Sequence, residues 1–265
     1  MNPLLYDTPG PATRRRQRRL GAASLLLLSG ALTAAILRLA DNGQFDEQMW
    51  QPFTDPDILN GIGQGLLATL KAAAAGIALA LVLAILLAAA RLSSHRLVRI
   101  PATAVIEFFR AIPLLLLILF LFLGFADVIG QFGALVIALA LFNGSVLAEV
   151  IRAGILAVPR GQGEAASALG LRKHQITALI LLPQAVRSML PSIINQCVVA
   201  LKDTALGFVI AYEDLVRTGQ LIYTGYHNIL PTAFVIGALY IAMNTALSTL
   251  ATRMHDRSLP TTNGA

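Results

Sequence analysis

Six apolar stretches alternate with short polar segments along the chain, at residues 20–40, 61–90, 101–124, 132–151, 176–201 and 230–252. A helix rises 1.5 Å per residue, so about 20 apolar residues match the roughly 30 Å hydrocarbon core of a bilayer. Within lipid a helix satisfies all its backbone groups internally, so the pattern predicts an all-α polytopic transmembrane helical bundle. The second stretch is dense in Ala, Gly and Leu, a composition that lets helices approach closely. Pro101 suits the first turn of the third, and Pro183 and Pro191 predict bends in the fifth. Residues 202–229 are too polar for an ordinary span. They predict either an outer loop with a short helix or a re-entrant segment lining a cavity.

Composition agrees with this pattern. The chain has 265 residues, 56% apolar and 13% charged, where globular domains carry about 25% charged residues. The formal net charge of +6 would suggest nucleic acid in a soluble domain, but its distribution argues otherwise. Fourteen Lys and Arg residues fall in segments that alternate as inner loops and tails, and two, Lys202 and Arg217, fall on the other side. That bias predicts both termini in the cytoplasm and leaves no role for nucleic acid. Residues 41–60 carry Asp41, Asp46, Glu47, Asp55 and Asp57 with no Lys or Arg, as expected of an outer segment, and Trp50 and Phe53 suit the interface there. The first stretch follows Arg14, Arg15, Arg16, Arg18 and Arg19 and also fits a secretory signal peptide. Its length favours an uncleaved helix, with Arg38 snorkelling at the far end. The expected organisation is a basic cytoplasmic tail at 1–19, a first helix and outer linker at 20–60, a core at 61–255 and a second cytoplasmic tail at 256–265.

Catalytic patterns are missing. There is no GxxxxGK[ST] phosphate loop, and His95, His174, His227 and His255 are scattered, with no HExxH pair or nucleophile elbow. The single cysteine, Cys197, lies in an apolar run and reads as a small buried hydrophobe. An enzyme is therefore not expected, nor a metal site.

The most informative polar segment is 159–191, PRGQGEAASALGLRKHQITALILLPQAVRSMLP. A small-residue helix stops at Gly170, and a basic linker leads into a second helix carrying Pro183. Arg160, Glu164, Arg172 and Lys173 keep this knob out of lipid. Locally, Gly170 serves as a helix stop and Glu164 supports an N-terminal turn. An exposed small-residue helix between spans also suits contact with another protein.

The spacing Glu164-Ala165-Ala166, Gly170, Ile180, Leu182-Pro183 resembles the EAA loop of bacterial ABC-importer permeases. Resemblance continues in EFFRAIP at 107–113, LAEVIRAGI at 147–155, LKDTAL at 201–206 and GLLATL at 65–70, which are similar to segments of the polar amino-acid permeases of histidine and glutamine importers. The LYDTPGP opening and the additional first helix look most like the glutamate-uptake permeases of actinobacteria. The resemblance implies a type I ABC importer permease fold and a multi-pass subunit of the bacterial cytoplasmic membrane. It implies a coupling loop at about 157–175 in which Pro159, Gly161, Glu164, Ala165, Ala166, Gly170 and Leu171 dock an ATPase. It further implies a second permease subunit, identical or different, two ABC ATPases and an extracytoplasmic binding protein. ATP and Mg would act on the ATPase, with no cofactor in this chain. Glutamate is the first choice of substrate, ahead of glutamine and aspartate.

Polar residues within the spans remain. Glu107 with Arg110, and Glu149 with Arg152, are each three apart and share a helix face, so each pair either neutralises itself or takes part in gating. Lys71 is read as snorkelling. Asn143, Asn195, Gln196, Lys202, Asp203 and Thr204 are candidates for a substrate path, because a zwitterion leaving water needs donors and acceptors of both signs. Alternatively, Lys202 and Asp203 pair with each other and only position the outer segment. An ion-coupled secondary carrier is the competing reading. It predicts a repeat and a central carboxylate pair, and the chain has neither. A membrane scaffold without transport would leave the polar groups of spans four and five unexplained.

Overall fold

The computed structural model describes residues 10–258, and among them every regular element is helical. Five helices are long and apolar enough to cross a membrane: Ala12–Asp41, Pro56–Arg91, Leu114–Ala157, Ile176–Ile210 and Ile229–Arg253. In chain order the α-helices are α1 (Pro11–Asp41), α2 (Glu47–Trp50), α3 (Pro56–Arg91), α4 (Arg96–Ala111), α5 (Leu114–Ala157), α6 (Arg160–Ala168), α7 (Lys173–Gln175), α8 (Leu182–Asp203), α9 (Leu215–Tyr226) and α10 (Ile229–Ser258).

The centre of the bundle is α3. Asp55 caps it, its side chain accepting from the Asp57 N–H at 2.9 Å, and Pro56 stands in the first turn. Its buried stripe is Gly65, Thr69, Ala72, Gly76, Ala80, Ala84 and Ala88, small residues at helical spacing. Against that stripe lie the bulkier Leu135, Leu139 and Leu147 of α5. Lipid is as apolar as leucine, so close packing rather than hydrophobic burial holds this pair together.

A straight α5 would be roughly 66 Å long, too long for one crossing. It is folded at Gly130, whose φ is 64° and ψ −179°. Leu114, Leu117 and Ile118 consequently share a buried cluster with Ala134, Leu135, Ala138 and Leu139. With this fold the long helices supply six apolar passages. Several boundaries differ from the sequence expectation, and Pro101 lies inside α4, which begins at Arg96, rather than in its first turn. The expected outer turn at 124–131 shrinks to the break at Gly130. The expected third span, 101–124, is not one helix: Ile112 is extended at φ −79° and ψ 130°, because the residue before a proline avoids helical geometry and Pro113 follows.

The helix expected at 176–201 begins as a π-helical turn, Ile176–Leu181. Pro183 has no N–H to continue the ladder, so the register widens ahead of it. The Gln184 side chain takes up the Ile180 carbonyl at 2.9 Å. Residues 204–226 fold back into the bundle. A 3-10 helix at Thr204–Ile210 is followed by α9, whose Leu215 is fully buried against α3. The short helix named in one of the two sequence alternatives for this segment is present as α9, packed on α3.

The basic run Arg14 to Arg19 and the first apolar stretch form one continuous helix, α1, and nearly all of α1 is exposed. The linker after it is held firmly. Gln44 Nε2 donates to the His227 carbonyl at 3.0 Å, and Gln44 Oε1 accepts from the Leu230 N–H at 3.1 Å. Asn228 Nδ2 donates to the Met49 carbonyl at 3.0 Å. Residues 5–9 of the LYDTPGP segment and the tail from 259 lie outside the described residues, as does Lys173 in its side chain.

Candidate functional site

The sequence-predicted coupling residues form a compact unit at the end of α5. Val158 is extended ahead of Pro159, which caps α6. The closing turn returns two N–H groups to the helix, Gly170 to the Ser167 carbonyl at 2.9 Å and Leu171 to the Ala166 carbonyl at 3.2 Å. Gly170 adopts φ +79°, a conformation glycine reaches without a Cβ penalty, and nothing lies within 4 Å of where a Cβ would stand. Ala166 is buried against the π-helical turn, and Gly163 lies over Ile176. Glu164, Ala165 and Gly161 are exposed, and Leu169 is 83% exposed. The two alanines of the EAA-like triplet thus differ in exposure, Ala166 buried and Ala165 exposed. One anchors the helix and the other belongs to an outer surface with Glu164 and Leu169.

The substrate-path candidates separate into two groups. Asn143 is buried on α5, and its Oδ1 accepts from Gln196 Nε2 of α8 at 2.7 Å. The Asn143 Nδ2 is buried without a direct hydrogen bond, and the Asp203 carboxyl lies near that amide. Thr204 is fully buried at the start of the 3-10 helix, near the Tyr240 hydroxyl. Asn195 and Lys202 are exposed and do not join them. Neighbouring positions on a helix point about 100° apart, so the run of polar residues at 195–196 and 202–204 cannot face one site together. The alternative pairing of Lys202 with Asp203 is not formed either.

Asn143 and the coupling unit stand on one rod. From Asn143 to Ala157 the second arm of α5 is unbroken helix, roughly 21 Å long. Val158 and Pro159 join this rod to α6.

Three features escaped the sequence reading. Arg91, counted there only for topology, reaches Glu107 at 3.1 Å and Glu149 at 2.7 Å. Glu107 also meets Arg110 at 3.5 Å, and Glu149 meets Arg152. The two expected pairs exist, joined by a fifth charge. Second, Gly65 and Thr69 receive the head of α9. A Cβ at Gly65 would stand 2.5 Å from Thr218 Oγ1 and 3.1 Å from the Asp214 carbonyl, and the Thr69 hydroxyl accepts from the Leu215 N–H at 3.0 Å. Third, Asp214 caps α9, accepting from the Arg217 N–H at 2.8 Å, while its Oδ2 is buried without a partner. Burial pushes this carboxyl up to about 6. Among the described residues no group of His, Cys, Asp and Glu is placed to hold a metal.

Residues 76–259 match the family model described as binding-protein-dependent transport system inner membrane component. The chain belongs to this family. The inner membrane component matched in this way includes α5, the coupling unit, α8 and α10, and leaves α1 outside. The chain is 43% identical over 223 residues to the glutamate transport system permease protein GluD of Corynebacterium glutamicum, covering 82% of each chain. It is 32% identical to the glutamate/aspartate import permease protein GltK of Escherichia coli O6:H1, covering 73% of this chain and 92% of that one. Among solved structures, an amino acid ABC transporter with histidines superposes with a TM-score of 0.70 at 31% identity, over 75% of this chain and 94% of that one. The MetNI methionine ABC transporter in an inward-facing form shares the fold, with a TM-score of 0.66 at 18% identity over 78% and 100% of the two chains. A permease subunit of an ABC transport system, built on the type I fold, is thus the frame for the site. Membership in a binding-protein-dependent system sets aside the ion-coupled carrier.

Proposed function

We propose that this permease subunit carries polar amino acids, glutamate first among them, into the cell by ATP-driven alternating access. Likeness to a glutamate permease over 82% of both chains is the observation that carries the substrate class. The exposed face of α6 at Glu164, Ala165 and Leu169 supports docking of an ABC ATPase at the coupling unit. Pro159, Gly161, Gly170 and Leu171 shape that unit, and Ala166 holds it on the π-helical turn at Ile176–Leu181. In this reading the coupling unit, and with it both termini, lies in the cytoplasm, in keeping with the bias of Lys and Arg. A second permease subunit completes the path, two ATPases bind and hydrolyse ATP with Mg, and an extracytoplasmic binding protein delivers the amino acid.

Nucleotide binding moves the two coupling units together, and each α5 rod transmits that movement to Asn143 and Gln196. Asn143 Nδ2 and the Asp203 carboxyl provide a donor and a charged acceptor to a zwitterion. Thr204 lines the same level of the bundle, whereas Asn195 and Lys202 stand at its edge. The permease biases two conformations, and the energy comes from the ATPase.

The test is reconstitution of the full transporter in vesicles with labelled glutamate. Uptake should need ATP and loaded binding protein and should survive collapse of ion gradients. Uptake that follows an ion gradient in the absence of ATP would overturn the reading.

A further inference from the structure

Five charged side chains from three helices form an alternating ladder beside the coupling unit: Arg110, Glu107, Arg91, Glu149, Arg152. Each glutamate is paired with an arginine of its own helix, three residues on. Those pairs are neutral by themselves. Arg91 is the surplus charge, so charge compensation does not explain it. What it adds is connection: one guanidinium nitrogen reaches Glu107 of α4 and the other Glu149 of α5, from the last turn of α3. Its side chain is only 16% exposed, whereas Glu107 is 54% exposed. Arginine suits this place because its planar fork offers two separate edges, where lysine offers a single point charge.

We propose that Arg91 is a positioning residue for energy coupling. It clamps the C-terminal ends of α3 and α4 to the arm of α5 that leads to Pro159 and α6, so that these elements move as one body with the coupling unit. This inference rests on the ATPase-docking reading above. Glu149 and Ala157 lie on the same helix, about 12 Å apart along its axis. Force applied at α6 therefore reaches the ladder through backbone alone. Without Arg91 the α5 arm would still move, but α3 and α4 would no longer be tied to it, and ATP would be hydrolysed without opening the path.

The experiment uses the complete transporter, with its ATPases and binding protein, in vesicles. ATP hydrolysis and uptake of labelled glutamate, glutamine or arginine are measured on the same samples. Arg91→Gln should lower amino acid moved per ATP by about fivefold or more, the lower end of typical inter-site coupling, while the ATPases stay bound. Arg91→Lys should recover only part of the ratio. Glu107→Gln removes one arm of the clamp at an exposed position where folding is not at stake, and it should lower the ratio less than Arg91→Gln. An unchanged ratio in both Arg91→Gln and Glu107→Gln, even with lowered thermal stability, would overturn the inference and leave the importer reading intact. A wild-type assembly that shows no ATP-driven uptake of the three amino acids would overturn both.

Discussion

Asp214 holds the head of α9 with one carboxylate oxygen and buries the other without a partner. Its folded pKa of about 6 lies above the ordinary 3.8, so the native state binds the proton more tightly than the unfolded chain. This group's contribution to stability is complete below pH 3.8 and is lost as pH rises through about 6. Two pKa units correspond to about 3 kcal/mol at most. Asp214→Asn keeps the capping oxygen and removes the buried charge. Thermal melting in detergent should therefore become flatter between about pH 4 and 6, with the variant more stable than wild type at pH 7. A steeper profile in the variant would contradict this account. At Gly65 the expectation runs the other way. Its added Cβ would stand 2.5 Å from Thr218 Oγ1 and press on the α9 backbone, so Gly65→Ala should destabilise by about 1–3 kcal/mol.

At the scale of elements, the coupling unit is an α-helix closed by one left-handed residue. Gly170 has free space around it and a φ of +79°, so replacement costs backbone strain rather than a clash. An L-residue there costs about 1–2 kcal/mol, more for a β-branched one. Gly170→Val should displace Leu171 and the outer face of α6, lowering transport per ATP more than Gly170→Asn does. Equal transport in both variants would remove the coupling role from this turn. A second element-level test concerns the α5–α8 contact. Asn143→Ala and Gln196→Ala each remove one side of the 2.7 Å bond. The double variant should cost less than the sum of the singles in uptake affinity, because the two amides act as a unit.

At the scale of the whole molecule, α1 and the linker behind it differ sharply in attachment. The helix is exposed along its length, whereas Gln44 and Asn228 are buried and bonded across 183 and 179 residues of sequence. Removing residues up to 40 should leave the bundle folded. Gln44→Ala strands the His227 carbonyl and the Leu230 N–H, and should cost about 1–3 kcal/mol of stability. Melting temperatures of the truncated chain and of the Gln44 variant, measured side by side, decide the matter.

Much of this architecture was legible beforehand, because lipid leaves the backbone few choices. Apolar length required a helical membrane bundle, and Pro183 an irregular turn at the head of its fifth apolar stretch. The spaced residues from Glu164 to Gly170 marked a short helix and its closing turn, since a helix stop at Gly170 is a local property. Where the chain depended on distant partners, periodicity was silent. Nothing near Arg91 indicates that two glutamates 16 and 58 positions away converge on it. Nor does a polar run reveal that Gln196 turns inward to Asn143 while Asn195 and Lys202 turn out. Local sequence governs which residues can be helical and which must leave lipid. Which faces meet depends on the fold at Gly130 and on the small-residue stripe of α3, and these exist only once the helices have packed.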